Sequence, residues 1–99
     1  MIKTIELDLY VADVLLRDLT GHDRMPSAFL VYLHLWTEAE KLAGPAVRTS
    51  HQQMAESTGL SKTAVQKAIR RLVGRKLLRV HKDSPTSVPE YRVLKPWRR

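Results

Sequence analysis

A run of basic and amide side chains recurs at helical spacing in the stretch SKTAVQKAIRRL of this 99-residue chain. Lys62, Gln66 and Arg70 follow one another at intervals of four. Lys67 directly follows Gln66, and Arg71 directly follows Arg70. Residues three or four apart share one face of a helix. This face carries ammonium, guanidinium and amide donors, which bind phosphate oxygens and the edges of bases. The pattern therefore predicts a surface that binds a polyanion.

The charge of the whole chain is unevenly distributed in the same sense. The formal net charge is +7. Residues 1–47 contain 4 Lys or Arg and 7 Asp or Glu, whereas residues 48–99 contain 13 and 3. This asymmetry indicates that the C-terminal half meets a polyanion and that the N-terminal half has another role. A basic surface that is only solvated is the alternative interpretation.

Length and composition favour one domain covering residues 1–99. Hydrophobic residues make up 43% of the chain and charged residues 27%, as in soluble globular proteins. The absence of cysteine excludes disulfides and thiolate zinc sites, and it fits a cytoplasmic location. No signal peptide is visible, and the longest apolar run, residues 28–36, is too short to span a bilayer. We therefore expect no membrane partner.

The helix that must support the basic face is predicted over residues 26–43. Pro26 suits its first turn, and Gly44 with Pro45 is expected to end it. Its first half is apolar around most of the circumference, which predicts a central helix covered on more than one side. Some of its surface could remain for a second subunit.

Two shorter helices are predicted to follow it. Ser50 and Gln53 fit a capping box for a helix over residues 50–57. Ser61 caps a longer helix over about 62–73, with Gly74 as its expected stop.

The link TGLS between these helices must turn sharply. Gly59 can adopt a positive φ there, and Leu60 is expected to enter the core. Ala55 leaves room for a close helix crossing. The longer helix carries an apolar stripe at spacings of i, i+3, i+4 and i+7, opposite its bases. The stripe consists of Val65, Ala68, Ile69 and Leu72.

The two ends of the chain show β-type patterns. Residues 4–11 alternate apolar and polar side chains, as in a strand with one wet face, and the run from Val11 to Leu19 shifts towards helical spacing. Whether this first segment is strand, helix or both stays open. Residues 76–82 and 90–95 are β-rich and are separated by the turn-rich run 83–89, which predicts a hairpin with a long loop.

The stretch MAESTGLSKTAVQKAIRRL, with Ala55, Gly59 and Val65 at the defining spacing, resembles the helix-turn-helix of bacterial DNA-binding proteins. The continuation VGRKLLRVHKD…EYRVLK is similar to the recognition helix and two-stranded wing of winged helix-turn-helix regulators of the MarR and GntR kind. The resemblance covers about residues 48–95. It implies an α+β, mainly α fold, a winged helix-turn-helix domain with a C-terminal two-stranded wing.

The resemblance implies sequence-specific binding of double-stranded DNA, with the recognition helix (about 62–73) in the major groove and the wing (about 77–94) beside it. Ser61, Lys62 and Thr63 would lie near phosphates and the first base edges. Gln66 and Lys67 would reach bases, whereas Arg70 and Arg71 would more plausibly reach phosphates. The remaining implied contacts are Ser50, His51 and Gln52 on the shorter helix, and Arg79, His81, Lys82 and Arg92 in the wing.

The implied role is a homodimeric transcriptional regulator, in which residues 1–47 supply the dimer contacts. A plasmid or phage replication or partition factor would use the same fold, and a winged-helix module that binds an acidic protein is a further alternative. An ordinary solvated helix face is the simpler interpretation of Lys62, Lys67 and Arg70. For Arg75 and Lys76 a solvated surface is preferred over DNA contact, since the helix macrodipole favours bases near a helix C-terminus. The tail 96–99 is either a basic phosphate-binding arm or a frayed end, and Trp97 could pack back on the domain.

Catalytic and metal-binding patterns are missing from the sequence. The four histidines show no metal-ligand spacing, and His34 lies in an apolar helix, where a packed residue is the better interpretation. Asp18, His22 and Asp23 could form a metal or acid–base cluster, but a polar loop explains them better. We therefore expect no enzyme and no cofactor, and the presence of a small-molecule effector stays open.

Overall fold

The computed structural model describes residues 2–44 and 46–98. An N-terminal helical segment, residues 9–22, contains two π-helical stretches at Val11–Leu15 and Asp18–His22. The other elements follow in the order α1, β1, α2, α3, β2 and β3. Their bounds are Pro26–Lys41, Ala46–Arg48, His51–Thr58, Lys62–Gly74, Leu78–His81 and Glu90–Val93.

Helix α1 is the central helix, as its apolar sequence predicts. Its buried residues include Val31, Leu35 and Trp36, and it packs on α3, α2, the N-terminal segment and the sheet. Because neighbouring elements cover α1 on several sides, most side chains of its apolar run are buried or half-buried rather than exposed to water. The rest of the core comes from α3, from the sheet, from Met54 of α2, from Leu77 and from Val11, Leu15 and Leu19.

The N-terminal helical segment buries one residue in every four. The amide of Leu16 donates to the carbonyl of Val11, and that of Asp23 to Asp18, so both stretches have i→i+5 hydrogen bonds. The wider π turn keeps residues spaced by four on one side. This spacing explains why the segment is helical from residue 9 onwards.

The N-terminal strand considered for residues 4–11 does not form. Residues 2–8 form no regular element and belong to no sheet, because no strand in the described part of the chain pairs with them. The helical alternative therefore holds only from residue 9.

The turn between α2 and α3 forms as predicted. Ser50 Oγ accepts a hydrogen bond from the amide of Gln53 (3.1 Å), and Gln53 Oε1 accepts one from the amide of Ser50 (3.0 Å). Gly59 has a φ of 79°. Ser61 Oγ accepts a hydrogen bond from the amide of Ala64 (3.0 Å), and Leu60 packs against the core. These caps fix where α3 begins.

The sheet has three antiparallel strands in the order β1–β3–β2, so the predicted two-stranded wing carries a third strand. Strand β1 has only three residues. It could not be predicted from the sequence, because so short a run after the turn residues Gly44 and Pro45 resembles a loop. Pro45, expected to help end α1, lies outside the described residues. Within the sheet, Val47, Tyr91 and Val80 share the core side, since they lie opposite one another in register.

Two glycines predicted to end helices do not adopt the left-handed conformation. Helix α1 ends at Lys41, and Ala43 has a φ of 55°; after α3 the positive φ belongs to Lys76 at 58°. Gly74 is the last residue of α3 and remains helical. The left-handed turn at Lys76 directs Leu77 and Leu78 into the core.

Asp8 joins the two ends of the chain. Its carboxylate accepts hydrogen bonds from Trp97 Nε1 (2.8 Å) and from Arg98 Nε and Nη2 (2.7 and 2.6 Å). The Trp97 ring stacks between Tyr10 and Trp36, with centroid distances of 4.5 and 6.3 Å. Residues 96–98 therefore pack back on the domain, as suggested for Trp97, rather than extending as an arm; Arg99 lies outside the described residues.

None of the helices formed by the described residues is both long and apolar enough to cross a membrane.

Replacing Asp8 with Asn should destabilise the protein at neutral pH by on the order of 1 kcal/mol, because charge-assisted hydrogen bonds are lost at a partly exposed site. The hydrogen bonds from Arg98 and then Trp97 lower the pKa of Asp8 from 3.8 to about 2. The carboxylate thus stabilises the folded state above about pH 4, and this contribution is lost as the pH falls through about 2. Urea unfolding at several pH values measures the difference.

The matched control is Asp13→Asn, which removes an exposed carboxylate of the same segment that contacts no cation of the described residues within 4.0 Å. A difference between the parent and Asp8→Asn that does not change between pH 7 and pH 2 would contradict this account.

Candidate nucleic-acid interface

Helix α3 buries one side and leaves its polar side exposed. Val65, Ala68 and Leu72 are fully buried, and Ile69 nearly so. The exposed side carries the predicted contact residues, and the helix contains no acidic residue. The exposed set is Ser61, Lys62, Thr63, Gln66, Lys67, Arg70 and Arg71.

The bases of α3 differ from three arginines elsewhere in the chain, Arg48, Arg75 and Arg98, which have acidic partners. Arg48 lies 3.3 Å from Asp83 and 3.6 Å from Glu90, and Arg98 lies 2.6 Å from Asp8. By contrast, the exposed bases of α3 have no carboxylate within 4.0 Å in residues 2–44 and 46–98. These bases are Lys62, Lys67, Arg70 and Arg71. Their positive field is therefore directed to solvent, where it can attract an external polyanion.

The start of α2 lies beside the start of α3 and the wing. Burial lowers the pKa of His51, and the neighbouring charges of Lys62 and Lys82 lower it further. His51 is therefore neutral at pH 7, with Lys62 and Lys82 nearby. Three of the predicted contact residues, from α2, α3 and the wing, come together at this place.

The two other predicted residues of α2 already have partners within the protein. Ser50 Oγ serves the helix cap, and Gln52 Nε2 donates to Glu56 Oε1 (3.0 Å). Because the cap uses its hydroxyl, Ser50 has less capacity for an external ligand than its position in the sequence suggests. Gln52 remains exposed.

The outer side of the sheet carries two arginines directly opposite each other. Arg79 of β2 pairs with Arg92 of β3 in the register, and both side chains are exposed. Neither has a carboxylate within 4.0 Å in the described part of the chain. Like charges directly opposite in a sheet destabilise it. The pair is therefore a local cost to the fold and a concentrated positive site.

The neighbouring wing residues are less available. His81 Nε2 lies 3.0 Å from Asp83 Oδ1, and Lys82 Nζ donates to the carbonyl of Pro85 (3.1 Å). His81 is thus engaged with an acid. Lys82 is exposed but bends towards its own loop.

A similar arrangement of helices and sheet occurs in a solved structure. The chain is similar to a crystal structure of the AntR antimony-specific transcriptional repressor, with a TM-score of 0.52 and 20% sequence identity. The similarity covers 96% of this chain and 74% of that chain. The fold is a winged helix-turn-helix. No protein-family model matches the chain, and no curated protein matches it.

In this winged helix-turn-helix, the predicted contact residues divide into two groups along α3. The residues at its start lie near His51 and Lys82. Arg70 and Arg71 lie a turn further on, beside Met25. The wing contributes Arg79 and Arg92 on the outer side of the sheet, where register rather than sequence distance brings them together.

Arg75 is the base whose surroundings the sequence does not reveal. It lies 3.6 Å from Asp18 and 3.5 Å from Asp23, residues more than 50 positions earlier. The grouping of Asp18, His22 and Asp23 considered from the sequence is thus an ion-pair network. No set of three or more His, Cys, Asp or Glu side chains among the described residues could hold a metal ion. His34 is half-buried, and burial lowers its pKa.

Arg79→Thr should raise the stability of the protein by about 0.2–1 kcal/mol, because it removes a like-charge pair from the sheet. Thermal unfolding at low ionic strength measures the change, and added salt should diminish it. The matched control is Arg48→Thr on the same side of the sheet. It should lower stability or leave it unchanged, since Arg48 lies between two acids. Equal destabilisation by both variants would contradict the repulsion between Arg79 and Arg92.

Proposed function

We propose that the protein binds double-stranded DNA as a homodimer and regulates transcription. The observation that carries this proposal is the exposed side of α3, whose four bases have no carboxylate within 4.0 Å in the described residues. A helix about 10–12 Å in diameter fits the major groove, which is about 12 Å wide. The similarity in fold to a transcriptional repressor supports regulation as the role.

The contacts that we propose differ in what they read. Gln66 and Lys67 lie centrally on the exposed side, where Gln can bond adenine and Lys guanine. Ser61, Lys62 and Thr63 would hold phosphates and first base edges at the start of the helix. Arg70 and Arg71 would hold phosphates a turn later, without reading sequence.

The wing and the start of α2 would contact the flanking DNA. Arg79 and Arg92 are the strongest wing candidates, because each adds charge that the protein itself leaves uncompensated. Lys82 would join them after leaving the carbonyl of Pro85. His51 and Gln52 would approach the backbone beside Lys62, with the N-terminal dipole of α2 favouring a phosphate there.

The N-terminal segment would supply the contacts between two copies. Ile2 is 90% exposed and Leu9 is 76% exposed, and Leu16 and Leu30 also remain partly exposed. These residues come from the acidic half of the chain, so burying them would keep negative charge away from DNA. Two-fold pairing would place two recognition helices about 34 Å apart, one turn of duplex DNA.

Selection from randomised duplex DNA at about 150 mM salt tests the proposal first. We expect a palindrome whose half-sites are about one helical turn apart. Retention without an enriched sequence would instead indicate a non-specific architectural or partition-type binder. No retention would favour an acidic protein partner and contradict the proposal.

The salt dependence of the affinity gives a second measure of the same interface. If each dimer neutralises on the order of 8 phosphates, log K should fall with log salt at a slope near −7. Fluorescence anisotropy on a labelled duplex between 50 and 300 mM salt measures it, and a slope near zero would contradict phosphate binding.

Gln66→Ala and Lys67→Ala should relax the sequence preference by about 1–3 kcal/mol, as expected for a lost bidentate base contact. Arg71→Ala should weaken binding to all sequences about equally. Competition between the selected site and a scrambled site measures both effects. Lys76→Asn is the control, since it removes one charge beyond α3 and Asn tolerates the positive φ of that position. Unchanged preference in the Gln66 and Lys67 variants would refute the assignment of base contacts.

A further inference from the structure

A concavity of about 520 Å³ lies beside the C-terminal half of α3. Four of its six lining residues are cationic, and none is acidic. The residues that line it are Met25, Lys67, Arg70, Arg71, Gly74 and Arg75. The concavity lies between the end of α3 and the loop before α1. That loop is outside the helix-turn-helix. We refer to it below as the Gly74 concavity.

Gly74 ends α3, but neither its backbone conformation nor its packing requires a glycine. Among the glycines of the described residues, Gly59 has a positive φ and Gly74 does not. A Cβ built on Gly74 meets no heavy atom within 4 Å, so packing does not require a glycine either. Glycine is a poor helix former compared with alanine. What its missing side chain does provide is open space among four cations.

Arg75 is held at this place without using its hydrogen-bond donors. Its guanidinium lies 3.5–3.6 Å from Asp18 and Asp23, which is longer than a well-formed hydrogen bond, and Nη1 takes part in neither contact. The N–H groups of Nη1 therefore remain available to an anion.

Asp23 holds Arg75 beside the concavity. Its side chain is 5% exposed, and its Oδ2 has no hydrogen-bond partner in the described residues. The hydrogen bond with His22 lowers its pKa, and the charges of Arg75 and Arg71 lower it further. Asp23 is therefore ionised at neutral pH, and it lies 3.5 Å from Arg75 before any ligand arrives.

We propose that the Gly74 concavity is a phosphate-binding site, in which Gly74 leaves room for the group and Arg70, Arg71 and Arg75 donate to its oxygens. Guanidinium groups match the geometry of phosphate oxygens, and their fixed placement reduces the ordering cost. The phosphate could belong to the DNA backbone, in which case the inference rests on the proposed function. It could also belong to a small molecule, which would then compete with DNA because Lys67 and Arg70 face both.

Gly74→Leu tests the site without changing any charge. The variant should unfold at the same temperature as the parent or slightly higher, since leucine favours helix and the position is open. If a backbone phosphate occupies the site, affinity should fall roughly tenfold for every duplex sequence. Arg75→Gln should act in the same direction and reduce the magnitude of the salt slope by about 0.9. Lys76→Asn, which lies outside the lining, controls for the loss of charge alone.

Inorganic phosphate and pyrophosphate distinguish the two sources. They are titrated into the full chain at constant ionic strength, with chloride as the reference, while the Gly74 amide resonance and the unfolding temperature are followed. Saturable changes in the parent that vanish in Gly74→Leu would support a free phosphate ligand, even if duplex binding is unaffected or absent. A parent that binds no duplex would overturn the proposed function, and the phosphate titration would still decide on the concavity. If Gly74→Leu alters neither duplex affinity nor the phosphate titration, the inference is wrong.

Discussion

The packing of α3 against α1 is the interaction on which the rest of the structure depends. Helix α3 has 13 residues, and it places an uninterrupted apolar stripe on α1 while its other side remains in water. Burying side chains such as Val65, Ile69 and Leu72 stabilises the fold by roughly 1.5–3 kcal/mol each. A helix rich in unpaired bases would repel itself if it stood alone, so this burial offsets the repulsion. Because α1 is covered on several sides, it provides a rigid support for the exposed face.

Folding also redistributes the charge asymmetry of the sequence. Acids of the N-terminal half approach bases of the C-terminal half, since Asp8 pairs with Arg98 and both Asp18 and Asp23 lie near Arg75. These contacts pair Arg98 and Arg75 with acids, whereas the exposed bases of α3 itself have no carboxylate within 4.0 Å in the described residues. The excess charge is therefore not spread evenly over the surface. Much of it lies on α3 and on the outer side of the sheet, where Arg79 and Arg92 face each other.

The helix-turn-helix could be predicted because its signals are local. The capping residues Ser50 and Ser61, the turn at Gly59 and the stripe of α3 each depend on residues within four or five positions. The same holds for the exposed candidates on α3, whose positions follow from helical spacing alone. The cross-strand pair Arg79 and Arg92 could not be found in this way, because the register of β2 on β3 is set by contacts across the hairpin.

Non-local pairing also explains the expectations that were wrong or incomplete. Residues 2–8 have the alternation of a strand, but alternation makes a strand only where another strand is available. Strand β1 has three residues and owes its existence to β3, which lies more than 40 positions later. The sequence suggests that the helix dipole is what favours a base at residue 75, whereas the structure places Arg75 beside Asp18 and Asp23. In each case the deciding partner is distant in the chain.

Two local costs to stability occur on the surface where binding is proposed. Arg79 and Arg92 repel each other across the sheet, and Gly74 weakens the end of α3 without any need for its conformation or size within the fold. In a marginally stable domain, even a few tenths of a kcal/mol is a measurable part of the total. An anion between Arg79 and Arg92 would offset their repulsion, and the open space beside Gly74 leaves room for an anion among the neighbouring bases. Both departures from the most stable choice therefore lie on surfaces where binding of a phosphate is proposed.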